Sequence, residues 1–304
     1  MALGVDTDRP VNTVMWTILD TWWTGNPNTP TFVGRYFGPA TSSHLWQPGE
    51  SNVPAAQASD APQYVLPLQA PGLAGSAFTV SQTVPGPNGF ANGQLHAGQI
   101  CDAIVAALES GDLSPSANSG VIRVYLDVEP QGLALSTEYW NGWASYIYND
   151  VHIYTDPVSG AKKPLQLWQP CIYCSLPLNT GPGSPSSYGP DTGVVAALSP
   201  ANSVAAPCYG FYFSRGASLG ASDPTFRINP QTATETALQS IMTTNFPSWP
   251  QPDMDGRTFM NVHFVMWQYD LDRNFGDGTV DHVDLDVTNE PSQQAPTDFM
   301  LRMP

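Results

Sequence analysis

Lysine is nearly absent from this 304-residue chain. Lys162 and Lys163 are the only two, and single scattered arginines bring the basic residues to 10 against 26 acids, for a formal net charge of −16. No basic stripe is available to neutralise phosphates, which excludes nucleic-acid binding, and the same balance opposes attachment to anionic membranes. Charged residues of either sign make up only 12% of the chain, about half of the ~25% usual in globular domains. No apolar run reaches the roughly 20 residues of a spanning helix, so no transmembrane segment is expected. Cysteine is scarce too: four residues are too few for a disulfide scaffold at this length. Cys171 and Cys174 form a CxxC, but the surrounding sequence reads as a strand, on which i and i+3 point to opposite faces. Buried thiols are the simplest reading, with one disulfide or a zinc site as alternatives. The five histidines form no H-E-x-x-H pattern, no G-x-S-x-G elbow accompanies them, and no glycine-rich phosphate loop is present.

What the chain does have is a near-normal hydrophobic share of 41%, arranged in short runs. Runs at 3–6, 31–37, 64–70, 121–128, 165–173, 208–214, 261–269 and 280–287 read as buried strands. Several are apolar at nearly every position, as in a parallel sheet covered on both faces. Helical spacing is found over 92–110, 136–150 and 229–245, with 12–22 a fourth candidate. Segments 40–62, 70–91 and 175–205 are rich in Pro, Ser, Ala and Gly and read as long loops. No repeat and no polar linker divides the chain, so residues 1–304 are expected to form a single domain. The pattern suggests an α/β fold, a single (β/α)8-like TIM barrel made irregular by helices that are missing or replaced by long loops.

In such barrels chemistry sits at the C-terminal ends of the strands. The first run ends at Asp6, the fourth in Tyr125-Leu126-Asp127-Val128-Glu129, and the last carries Asp284 and Asp286. Asp127 and Glu129 are two apart on an extended chain and so share a face. Paired acids on an inward face repel each other, so one can stay protonated near neutral pH while the other is ionised. Glycoside hydrolysis needs that division. A strand running out into solvent is the alternative, since acids are expected there as well.

Gly4-Val5-Asp6, Tyr125-Leu-Asp-Val-Glu129, Trp267-Gln-Tyr269 and Val283-Asp-Leu-Asp286 together resemble the family 25 glycoside hydrolases, lysozyme-type muramidases with a barrel fold. Gly34-Arg35-Tyr36 on the second strand and Gly93…Gly98…Asp102-Ala103 bring the chain nearer to the bacterial glycoside-hydrolase-like relatives of that superfamily. The resemblance runs through nearly the whole chain in order, and the count of eight strands leans on it. It implies that Glu129 is the general acid and Asp127 its partner, with Asp6 and Asp284 as flanking acids. The implied substrate is peptidoglycan or another N-acetylated glycan, cleaved outside the cell or in the envelope. A catalytically inactive carbohydrate-binding or structural module of a phage particle or secretion apparatus is the alternative reading. Asp6 follows the start too soon for a signal peptide's apolar core, so export is expected by another route or after loss of a leader. A monomer is expected.

Around the acids, Tyr36, Tyr125, Trp168, Trp267 and Tyr269 offer flat surfaces for sugar rings, with core packing as the alternative, and Gln69 and Gln268 offer amides for hydroxyls. Arg35, on an otherwise apolar strand, needs a carboxylate partner if buried, and a site acid is the obvious candidate. Trp140 and Trp143 read as anchors of their helix. No cofactor is expected. Asp270, Asp272, Asn274 and Asp281 fall at calcium-loop spacing, but Phe275 stands where an EF-hand needs glycine, and an acidic loop between the last two strands is the simpler reading.

Overall fold

The computed structural model describes residues 3–7, 31–38, 45–52, 63–69, 86–115, 121–128, 135–149, 152–165, 168–175, 198, 208–209, 211–214, 236–237, 249–252, 259–262, 264–273, 283–288 and 299–303. Three strands come first: β1 (Leu3–Asp6), β2 (Phe32–Gly38) and β3 (Tyr64–Gln69). Helix α1 (Pro87–Glu109), β4 (Ser114–Pro115), β5 (Ile122–Asp127) and helix α2 (Thr137–Asn149) follow. Next come the hairpin β6 (Ile153–Thr155) and β7 (Lys162–Pro164), then β8 (Trp168–Ser175) and β9 (Phe211–Ser214). The chain closes with β10 (Trp249–Pro252), β11 (Phe259–Val262), β12 (Phe264–Arg273), β13 (Val283–Thr288) and β14 (Leu301–Arg302).

The fold is α/β, built on one mixed sheet. Its strand order is β2-β1-β13-β12-β9-β8-β5-β3-β14-β4, and β2 pairs with β3 as well as with β1. All eight apolar runs contain a strand of this sheet. The run at 261–269 is divided, since β11 pairs with β10 in a separate ribbon while β12 joins the main sheet. The ladders linking β1, β2, β3, β5, β8, β9 and β12 are parallel. The expectation of an all-parallel core is corrected at β13, which runs antiparallel to both β12 and β1. Only nine residues separate Arg273 from Val283, fewer than the dozen or so that a parallel crossover requires.

Every residue of β2 and of β5 is buried, so these strands are covered on both faces. On one face, alternate residues Phe32, Tyr36, Leu66, Leu68, Tyr125, Cys171 and Tyr173 form a core cluster with Met300. The opposite face carries the helices. Trp140 and Trp143 of α2 are wholly buried, as expected of anchors. All four cysteines are buried as thiols.

Helix α1 starts five residues before the predicted 92, so positions 87–91 are helix rather than loop. Gly86, with φ 79°, precedes Pro87 in the first turn, where a missing N–H costs nothing. At the other end the Ser110 N–H donates to Ala106 O at 2.9 Å, and Gly111, with φ 81°, stops the helix in the left-handed conformation. Helix α2 has Ser136 as N-cap, its Oγ accepting from Tyr139 N at 3.1 Å. Of the predicted helix 229–245 only 236–237 are described, as helix; 12–22 lies outside the described residues.

The two helices touch through glycine. A Cβ on Gly142 would stand 2.0 Å from the Phe90 carbonyl oxygen, and one on Gly93 would stand 2.3 Å from the Tyr139 carbonyl oxygen. Both obstacles are backbone and cannot rotate away. Gly142→Ala should therefore lower the urea midpoint, by the equivalent of about 1–3 kcal/mol at unchanged m-value. Gly98→Ala is the control: its Cβ would find Tyr146 Oη at 3.5 Å, an ordinary contact, and helix propensity predicts a gain of up to about 1 kcal/mol.

Candidate functional site

Because the seven parallel strands point one way, their C-terminal ends lie together. Asp6 is the last residue of β1 and Asp127 the last of β5. Both side chains are buried, at 3% and 5% exposure, so neither strand is running out into solvent. The antiparallel direction of β13 brings its beginning to this same end, where position 284 pairs directly with Asp6 and position 286 with Gly4. Glu129 lies outside the described residues.

Strand β2 shapes the site with three consecutive residues. Gly34 pairs with Asp6, and a Cβ there would approach the Asp6 Cβ to 2.6 Å, so glycine leaves the room that the acid occupies. Tyr36, two residues on and on the same face, donates from its hydroxyl to Asp127 Oδ2 at 3.2 Å. Between them Arg35 faces the other way and is fully buried. Its Nε donates to Glu50 Oε1 at 2.5 Å, Nη2 to Glu50 Oε2 at 3.3 Å, and Nη1 to the Thr7 carbonyl at 2.8 Å. The carboxylate partner expected among the strand-end acids is thus Glu50. Sequence reasoning missed it, although it is the sole acid between Asp20 and Asp60.

The remaining expected site residues divide by face. Tyr125 belongs to the core cluster beneath Asp127. Gln69, expected at the site, lies on the helix side of β3, where its Oε1 accepts a short hydrogen bond from Trp143 Nε1. Trp168 likewise lies against a ring outside the cluster, His152, with centroids 4.4 Å apart. On β12, Trp267 pairs with Phe213 and Val287, and Gln268 pairs with Asp286. The register slips between Gln268 and Asp270, putting Tyr269 at an irregularity of the kind that re-aims a strand. Asp270 and Asp272 lie within β12, so the first part of the candidate calcium loop is extended strand rather than a loop that wraps an ion. Asn274 and Asp281 lie outside the described residues.

Behind Gln69 sits a buried polar pair. Tyr139 Oη and His96 Nδ1 are hydrogen-bonded at 2.9 Å, linking α2 to α1. Burial pushes the Tyr139 hydroxyl well above its ordinary value, partly offset by a bond with Gln69. Burial also pushes His96 down to about 4. In the unfolded chain His96 titrates near 6.5, so between about 4 and 6.5 the unfolded state binds more protons. Stability therefore falls as pH drops through that window.

No protein-family model matches the sequence, and no curated protein matches it. Among solved structures the chain is similar to an uncharacterized protein of B. stearothermophilus, determined at 1.07 Å, with a TM-score of 0.51 and 17% identity over 99% of this chain and 100% of the other. At that identity the likeness is one of fold.

Substituting His96→Gln isolates one titration. The stability difference between the unmodified chain and the variant, from denaturation at a series of pH values, should decline between about 6.5 and 4 and level off below. A difference that stays flat across the window would mean the imidazole titrates as if in solvent.

Proposed function

We propose that the chain is a glycoside hydrolase-like barrel that cleaves the glycan of bacterial peptidoglycan in the manner of an N-acetylmuramidase. The barrel reading is supported by the ladders: β1, β2, β3, β5, β8, β9, β12 and β13 each have a partner on both sides, and β13 returns to β1. The functional reading is carried by the burial of Asp6 and Asp127 at one end of the sheet. Burying carboxylates is costly, and catalytic sites are among the places where folds accept that cost.

In this reading Glu129 donates a proton to the glycosidic oxygen. Asp127, held by Tyr36, supports the substrate N-acetyl group or the attacking water. Asp6 and Asp284 flank the pair, and Trp267, Gln268 and Tyr269 on β12 contribute to the sugar-binding surface. The substrate is an N-acetylated glycan, the protein acts as a monomer outside the cell or in the envelope, and no cofactor takes part. The −16 charge favours a second reading, since bacterial walls are themselves anionic and repel such a surface. There the same site binds glycan without turning it over, as part of a phage particle or secretion apparatus.

Mass spectrometry of the soluble fragments released from purified peptidoglycan separates the two. The unmodified chain should release fragments ending in reducing N-acetylmuramic acid. Glu129→Gln should lower that release by about 10²–10⁴-fold while the fold is retained. Equal release by the variant would remove Glu129 from the mechanism; binding of glycan fragments without any release would establish the second reading.

A further inference from the structure

Arg35 spends its donors in an uneven way. Two go to Glu50, Nη2 also reaches the Leu45 carbonyl at 3.3 Å, and Nη1 reaches the carbonyl of Thr7, the residue that follows Asp6. Glu50 is itself held. Its Oε2 accepts from Gln47 N at 3.0 Å, and its own N–H donates to Gln47 O at 3.0 Å. The segment carrying it, 45–52, is tied down at three further points. Trp46 N donates to Tyr36 O at 2.8 Å, the Trp46 ring stacks on Phe37 at 5.6 Å, and Gly49 N donates to Asp112 Oδ1 at 3.1 Å. The guanidinium thus joins a braced carboxylate to the backbone just beyond a strand-end acid. Gly34 takes the same acid from the other side, and its carbonyl accepts from Thr7 N at 3.3 Å.

We propose that Arg35 and Glu50 are a positioning pair for Asp6. They touch no substrate; they fix the backbone immediately after Asp6 so that its carboxylate stays aligned with Asp127, which the adjacent Tyr36 orients. The Gly34-Arg35-Tyr36 tripeptide then serves both acids: Gly34 gives Asp6 room, Arg35 holds the Thr7 backbone beyond it, and Tyr36 holds Asp127. The catalytic consequence rests on the glycan-cleaving reading, whereas the clamp itself can be observed without it.

A buried ion pair tolerates loss of both partners better than loss of one, so the first variant is Arg35→Met/Glu50→Leu. Glu50→Gln, which keeps side-chain shape and one acceptor oxygen, is the second, in case the double variant does not fold. Amide hydrogen exchange and the Asp6 side-chain carboxyl signal are read by nuclear magnetic resonance, with Val128 N, bonded to Tyr173 O at 2.7 Å, as the reference. The proposal expects Thr7 exchange to quicken by about tenfold or more, and the Asp6 signal to move, while Val128 is unaffected. With peptidoglycan as substrate it expects kcat to fall by up to about 10²-fold with little change in KM. Unchanged Thr7 exchange and Asp6 signal in the folded variants would overturn the pairing, as would loosening that spreads equally to Val128. Absence of cleavage by the unmodified chain would overturn the glycan reading instead, leaving the resonance comparison to decide the clamp.

Discussion

A guanidinium shut away from water must find acceptors for all of its donors inside the protein, and much of this end of the molecule follows from that requirement. Arg35 is fully buried, so Glu50 has to be buried with it, and the segment from Leu45 to Asn52 has to lie against β2 to deliver it. Removing one member of such a pair costs about 3–5 kcal/mol, whereas replacing both with apolar residues is often neutral. What the pair supplies is therefore geometry more than net stability. The geometry in question is that of the chain as it leaves β1.

Neighbouring residues on the parallel strands carry out different tasks because successive side chains face opposite ways. Tyr36, Leu68, Tyr125 and Asp127 belong to the face that holds the core cluster and the acids; Arg35 and Gln69 belong to the face that meets the helices and the 45–52 segment. The polar residues of the second face are linked across elements: Gln69 to Trp143, and Tyr139 to His96. Two glycines let α1 and α2 approach to backbone contact, which keeps these links short. The acids thus rest on strands that are fixed from behind.

The eight main strands were legible in the sequence because each is a short apolar run bounded by turn-forming residues, and Asp6 and Asp127 were legible because they end such runs. Which way a residue faces was not. A strand buried on both sides shows no polar alternation, so nothing in Tyr64–Gln69 says that Gln69 belongs with the helices, and nothing in Phe32–Gly38 says that Tyr36 rather than Arg35 faces the acids. The direction of β13 leaves no mark in its own residues; it follows from the shortness of the connection before it. The early start of α1 was hidden by Pro87 and Gly89, read as loop formers. In the fold the proline opens the helix, and Gly93 is where α2 lies against it. The short strands β4, β6, β7 and β14, of two or three residues, are too short for a period to register.

The pairing of β1 with β13 also governs the order in which the molecule can be assembled. Leu3 stands opposite Val287, and Met300 sits in the core cluster beside residues of β2, β3, β5 and β8. Strand β1 therefore waits until β13 has been made before one of its two neighbours exists, and the cluster stays incomplete until Met300 arrives. Contacts so distant in sequence are entropically slow to form, and until they do, the edge of β1 and an apolar floor stand open. A cell making this protein has to shield that surface until Met300 has left the ribosome.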